Sequence, residues 1–376
     1  MRNFSNYNID NIKKYPILLD INHPSHFYFF RDFILENLKQ ENRLCITVKN
    51  RSHLFSLFDV YKIPYIIKGK RAKHLTGKMT GLIKEVFQLY FLILHWKPKM
   101  ILSFASPYAS IAGWLAGKPV ISFDDTEFDP LLHLIFPRFS SLIITPNCFQ
   151  ESFGKKHIKF NGYKESVYLS KTINEKTNHG LSTFLKNNKP YILVRFVNHH
   201  STHEVGQNGL TNEDKHHLVN KLGEQYNVVI SSEGPLPDDL KDYELNTPIE
   251  KIHQVLKNAI LYFGESTTMA AESAVLGTPA VLIENKKRGY IEDLQYKLKT
   301  IKTFKTNQVQ QALDTAINWL NYPGSETGKK VRQIMGETTN ITGLLWWLSQ
   351  EPLERTTYLK EHPEFIKKFD NPPNGK

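Results

Sequence analysis

The residues best suited to chemistry lie in one stretch, Phe263-Gly264-Glu265-Ser266-Thr267-Thr268-Met269-Ala270-Ala271-Glu272-Ser273-Ala274-Val275-Leu276-Gly277-Thr278-Pro279. It reads as a strand, a tight turn at Gly264, a helix with a hydroxyl-rich opening, a glycine stop and the next strand. Backbone N–H groups at a helix start point outward and carry the positive end of the dipole, so a diphosphate is well placed there. The hydroxyls of Ser266, Thr267 and Thr268 add donors. Glu272 follows Thr268 by four residues, on the same face and about 6 Å further along, a spacing that suits a carboxylate gripping a ribose diol. The plainer alternative is that Ser266 only caps the helix and Glu272 is an exposed surface acid.

Other candidates stand at strand ends. Asn22, His23 and His26 follow the first apolar run, and a neutral imidazole at His26 is suited to taking the proton from an attacking acceptor hydroxyl. Capping or packing is the competing reading for both histidines. Asp124, Asp125 and Glu127 follow the run at 120–123 and are candidates to bind acceptor hydroxyls or to supply the base, with Asp125 or Thr126 as an ordinary cap in the alternative. Arg195 ends another run, where a fixed guanidinium offsets charge building on a leaving diphosphate; surface pairing is the rival. Gly162-Tyr163-Lys164-Glu165 is either a ligand contact or a turn closing the first domain. His199 and His203 have the spacing of two metal ligands on a helix, but Asn198, Ser201, Thr202, Gly206 and Gly209 around them read as a loop. No metal and no cofactor is expected.

These positions need elements to hold them. Apolar runs of four to six residues alternate with helical-period segments from Pro16 onward, the pattern of βα units and a parallel sheet. Strands are predicted at 16–21, 44–48, 64–67, 100–104, 120–123 and 142–145, with a helix over 26–38. A second series gives strands at 191–197, 227–232, 260–263, 279–283 and 300–304, with helices at 211–225, 248–257 and 308–320. The polar stretch 171–189 separates the two. The expected class is α/β, with two Rossmann-like domains whose parallel sheets face a central cleft. They span 1–170 and 190–330. A docking helix over 331–350 and a frayed polar tail over 351–376 complete the reading. Ligands of such sheets bind beyond the carboxyl ends of the strands, where all these candidates fall.

Length and composition agree. A chain of 376 residues with 40% hydrophobic and 23% charged residues is folded and large enough for two cores. The longest apolar stretch, 86–96, is short of the ~20 residues that cross a bilayer, and the polar first eleven residues lack the core of a secretory signal, so the cytosol is the expected compartment. With two cysteines, one in a strand at Cys45, no structural disulfide is expected. The net charge of +11 favours anionic partners, and no nucleic-acid-binding motif accompanies it. Lys68, Lys70, Arg71, Lys73, Lys78 and Lys84 precede any acid before Glu85. They read as a solvated loop or as one resting peripherally on the anionic inner face of the cell membrane, or on an anionic acceptor.

The Ser266 segment resembles the donor-binding motif of GT-B proteins, in particular the Gly-Asp-Ser-Gly-Gly-x-x-x-Glu pattern of UDP-N-acetylglucosamine 2-epimerases, and is similar to that of the lipid II glycosyltransferase. The resemblance implies that Ser266, Thr267 and Thr268 meet the diphosphate and Glu272 the ribose; Thr267 and Thr268 stand where the epimerases have glycines. His26 matches the histidine closing the glycine-rich loop of the lipid II enzyme. Asp20-Ile21-Asn22-His23-Pro24-Ser25-His26-Phe27, Asp124-Asp125-Thr126-Glu127, Gly162-Tyr163-Lys164-Glu165 and Val194-Arg195 together look like domain-of-unknown-function family 354, a GT-B-like family. The expected function is metal-independent transfer of sugar from a nucleotide-activated donor to a glycan or lipid-linked acceptor in surface-polysaccharide assembly. A UDP-sugar 2-epimerase and a non-catalytic membrane- or anion-binding protein are the alternatives.

Overall fold

In the protein's computed structural model, the described residues are 17–40, 44–69, 75–127, 129–174, 189–197, 209–321, 331, 333 and 336–370. They form two units: Met1–Tyr168 with Gly336–Lys376, and Leu169–Met335.

The first unit holds strands β1 (Ile17–Ile21), β2 (Leu44–Lys49), β3 (Ile66–Lys68), β4 (Met100–Phe104), β5 (Val120–Phe123), β6 (Leu142–Pro146) and β7 (His157–Phe160). All pair in parallel, in the order β3-β2-β1-β4-β5-β6-β7. The central strands are buried throughout, which is why they read as unbroken apolar runs. Between them run α1 (Pro24–Lys39), α2 (Ser52–Val60), α3 (Leu75–Trp96), α4 (Pro107–Leu115) and α5 (Pro130–Phe139), followed by α6 (Lys164–Asn174) after β7. Strand order reverses between β1 and β4, and at such a switch point the neighbouring crossovers leave in opposite directions and open a crevice at the carboxyl edge.

The second unit repeats the architecture with β8 (Tyr191–Phe196), α7 (Asn212–Gly223), β9 (Asn227–Ser232), α8 (Ile252–Asn258), β10 (Leu261–Gly264), α9 (Thr267–Leu276), β11 (Ala280–Ile283), α10 (Gly289–Leu298), β12 (Ile301–Phe304) and α11 (Val309–Asn321). Its parallel order is β12-β11-β10-β8-β9, so the switch point lies between β8 and β10. The α/β class expected from alternation is the class observed.

Three expectations about organisation change. The stretch after 171 does not begin as a linker: α6 carries on to Asn174, and the unit boundary falls inside it. The end of the chain does not fray at 351. After α12 (Ile341–Gln350) comes α13 (Pro352–Glu361) and a 3₁₀ helix over Pro363–Phe369. Aromatic residues hidden in that polar sequence account for this, since Phe365 and Phe369 pack on Trp347 while Trp346 packs on Phe33 and donates to Glu36 at 2.7 Å. These elements belong to the first unit.

The basic loop also changes. Lys68 is fully buried on β3, with its ammonium 2.7 Å from Asp20 Oδ2. Thr47 and Ser106 donate to the same carboxylate at 2.7 and 2.6 Å. A carboxylate at the centre of a sheet demands such partners, and Lys68 supplies the opposite charge instead of facing a membrane. Burial pushes the Asp20 carboxyl up, but the charge and hydrogen bond of Lys68 outweigh it and hold the group below its ordinary value. Lys70, Arg71 and Lys73 lie outside the described residues; Lys84 is exposed.

Candidate functional site

In the first unit the candidate residues gather around the carboxyl edges of β1, β4, β5 and β7. His23 caps α1, its Nδ1 accepting from the Ser25 N–H at 3.2 Å, so the capping reading holds for that residue. Asn22 donates to Asp20 at 3.1 Å and leaves its Oδ1 buried without a partner. His26 stacks on Phe104 with ring centroids 4.4 Å apart, and its Nδ1 is also buried without a partner. Burial, reinforced by the positive charges of His23, Lys164, Arg51 and Lys68, holds the His26 imidazole well below its usual range and therefore neutral.

Asp124, Asp125 and Glu127 are all buried. None caps α5; Asp129 does, accepting from the Leu132 N–H at 3.1 Å. Asp124 Oδ1 accepts from the N–H groups of Asp125 and Thr126 at 2.8 and 3.2 Å. Its Oδ2 lies 2.9 Å from His133 Nε2, and His133 Nδ1 lies 2.8 Å from Glu151 Oε2. Burial lifts the Asp124 carboxyl to about 6 against the opposing hydrogen bond from His133. Burial lowers the His133 imidazole, yet the bond and charge of Asp124 together with Glu151 raise it overall. Asp125 pairs with Lys164 at 2.6 Å, and Lys164 lies 3.4 Å from the buried Glu165. Glu127 accepts from the Gln150 N–H at 3.2 Å. Asp124, Asp125 and Lys164 line a narrow crevice together with Phe29, Phe104, Phe123 and Phe160. Gly162-Tyr163-Lys164-Glu165 is thus both a turn, with Gly162 at φ 109°, and the source of the lysine that holds Asp125.

In the second unit the switch point is framed by Arg195 on β8 and Gly264 on β10, which are register partners. A Cβ at Gly264 would come 2.4 Å from the Arg195 carbonyl oxygen, so the close approach of the two strands requires glycine. The tip of α9 is open: Ser266, Thr267 and Thr268 are partly exposed, while everything from Met269 to Leu276 is buried. Ser266 Oγ caps the Met269 N–H at 3.4 Å, and the Tyr262 hydroxyl fixes the turn by accepting from Ser266 N–H and donating to its carbonyl.

Several polar groups expected to be open here already have partners. Thr267 Oγ1 donates to Glu284 at 3.1 Å, and Arg195 donates to Ser231 and Glu233 at 2.7 and 2.6 Å, leaving its Nε buried without a partner. Glu272 is 4% exposed instead of open on a surface face, because α9 is buried from Met269 to Leu276; it lies 3.1 Å from His253 Nε2 on α8. His199, His200, His203 and Glu204 lie outside the described residues, and among the described residues no acid, histidine or cysteine group of three is placed to hold a metal.

Three functional candidates escaped sequence reasoning. His133 and Glu151 sit eighteen residues apart with nothing between them to signal a pair. Glu265 was visible inside the motif without a role; it accepts from Val197 N–H at 3.2 Å and Leu210 N–H at 2.7 Å.

The fold is shared with solved structures of low sequence identity. UDP-N-acetylglucosamine 2-epimerase from Rickettsia bellii superposes with TM-score 0.64 at 14% identity, over 91% of this chain and 97% of that one. UDP-GlcNAc 2-epimerase from Neisseria meningitidis, solved with UDP-GlcNAc bound, gives 0.63 at 14% over 91% and 99%. Spinosyn forosaminyltransferase gives 0.59 at 13% over 90% and 100%. These neighbours are enzymes, and the shared architecture is GT-B. No curated protein matches the sequence. The family model for protein of unknown function DUF354 matches residues 15–342, so the chain belongs to that family.

Proposed function

We propose that the protein is a glycosyltransferase that moves a sugar from a nucleotide-activated donor to a glycan or lipid-linked acceptor. The observation that carries this reading is the open, hydroxyl-bearing tip of α9 at the switch point of the second sheet. A donor diphosphate there meets the positive end of the α9 dipole and the Ser266 and Thr268 hydroxyls, and can displace Glu284 from Thr267. Arg195 lies on the adjacent strand, and the ribose contact is assigned to Glu272 with His253 orienting its carboxylate. In the transfer, the acceptor oxygen bonds to the anomeric carbon as the bond from that carbon to the diphosphate breaks, and the nucleoside diphosphate leaves. The acceptor proton passes to a base, for which the first unit offers Asp124, ionised above pH about 6, and the neutral His26.

The test is a thermal-shift panel of UDP, GDP, CDP and TDP on wild type and Thr268→Glu. The expected result is that one nucleotide stabilises wild type and not the variant, whose carboxylate repels the phosphates. Equal stabilisation of both proteins, or none of either, rejects the site. The 2-epimerase reading is favoured by the epimerases among the structural neighbours. Conversion of UDP-GlcNAc to its 2-epimer without any acceptor establishes that reading in place of transfer.

A further inference from the structure

The helix layer α3–α4–α5 has an outer surface at odds with the rest of the chain. Helix α3 buries Val86, Leu89, Ile93 and Trp96 against the first sheet, as its role in the core requires. Its opposite side is also apolar: Ile83, Phe87, Phe91 and Leu94 recur at helical spacing and stay exposed, Phe91 to 63%. The neighbouring helices continue the surface. Trp114 at the end of α4 is 58% exposed and meets Phe139 of α5 at 5.2 Å, while Leu131 of α5 is 69% exposed. Helices α3 and α4 pack together, as do α4 and α5, so these side chains belong to one layer. Elsewhere among the described residues the exposed large apolar side chains are scattered, which is ordinary; a gathering on three adjacent helices marks a binding surface.

Charge decides what binds. From residue 60 to 123 the sequence has ten lysines and arginines and a single acid, Glu85. That acid is buried and paired with Lys49. Lys68 is buried as well, but Lys84, Lys97 and Lys99 are exposed on or just beyond α3, and Arg138 is exposed on α5, four residues after Leu134. A second copy of the same face would bring like charges together. A surface presenting phosphate headgroups above hydrocarbon satisfies both features, since the phenylalanines and Trp114 enter the interface while the cations stay at headgroup level. We propose that the outer face of α3–α4–α5 docks on an anionic phospholipid bilayer, by peripheral contact through the helix sides. The inference is independent of the reaction and of the nucleotide site.

The test is flotation of the full chain with phosphatidylcholine vesicles and with vesicles also containing phosphatidylglycerol. Wild type is expected to float with the anionic vesicles and to stay in solution with the neutral ones. Phe87→Ser/Phe91→Ser should weaken flotation about tenfold or more, and Lys84→Glu/Arg138→Glu should weaken it and remove its salt dependence. Because all four positions are exposed, unchanged thermal midpoints and unchanged nucleotide-induced shifts separate lost docking from lost folding or a lost donor site. Absence of wild-type flotation, equal flotation of the Phe87/Phe91 variant, or a wild-type dimer that this variant converts to monomer overturns the proposal.

Discussion

Asp124 Oδ2 and His133 Nε2 stand 2.9 Å apart, joining a buried carboxyl to an imidazole whose other nitrogen reaches Glu151. The arrangement lets a proton gained at Asp124 be matched electrically by the imidazole and the outer carboxylate, and it ties the ionisation of a buried group to one near solvent.

Asp124→Asn should separate chemistry from stability. Burial raises the folded-state carboxyl to about 6 from an ordinary 3.8, so the folded state holds this proton more tightly than the unfolded chain. Stability therefore falls as pH rises through that window, and above it the cost of keeping a buried carboxylate is constant. An asparagine keeps the acceptor for the N–H groups of residues 125 and 126 without that cost. The variant is expected to be as stable as wild type at pH 8 or more so, by no more than about 3 kcal/mol, while sugar transfer drops roughly 10²–10⁴-fold if Asp124 is the base. Urea titration and a radiolabelled-donor assay measure the two.

His133→Phe preserves packing against Phe136 and Phe153 but removes the hydrogen bond that lowers the Asp124 carboxyl. The acid limb of the pH–rate profile should move to higher pH, with activity at pH 6 reduced roughly tenfold. A purely structural role for His133 would lower activity evenly across pH and leave the limb in place.

Lys68→Met leaves Asp20 at the centre of the sheet with its opposite charge gone. Loss of one partner of a buried pair costs about 3–5 kcal/mol, read as a fall in the urea midpoint. Adding Asp20→Asn should restore much of the loss, because no uncompensated charge then remains.

Gly264→Ala forces a methyl against the Arg195 carbonyl on the neighbouring strand. The expected cost is about 1–3 kcal/mol, together with a weaker nucleotide-induced shift, since α9 begins from this turn. Ala substitution at Gly223, which has nothing within 4 Å of its would-be Cβ, is the control and should not destabilise.

Much of the fold was legible because parallel strands buried on both faces are written as apolar runs, and the helices between them carry a period close to 3.6. The runs at 100–104 and 120–123 coincide with β4 and β5. The glycine stop of α9 was equally visible, and Gly277 has φ 90°. Element edges were less so, as at the predicted helix 248–257, which is a 3₁₀ turn followed by α8. The folded end of the chain went unrecognised because its aromatics are spaced among charges and gain meaning only from Trp347.

Local order alone determined that Ser266 opens a helix after a glycine turn, that acids follow β5, and that His26 lies just beyond β1, since each depends on neighbours within a few residues. Partnership between distant residues was decided by tertiary structure. The packed sheet makes Lys68 the counter-charge of Asp20, a crowded α9 turns Glu272 toward His253, and α5 brings His133 between Asp124 and Glu151. The physical reason is the same in each case: a buried charge takes whatever partner the fold brings within hydrogen-bonding reach, and sequence separation does not limit that reach.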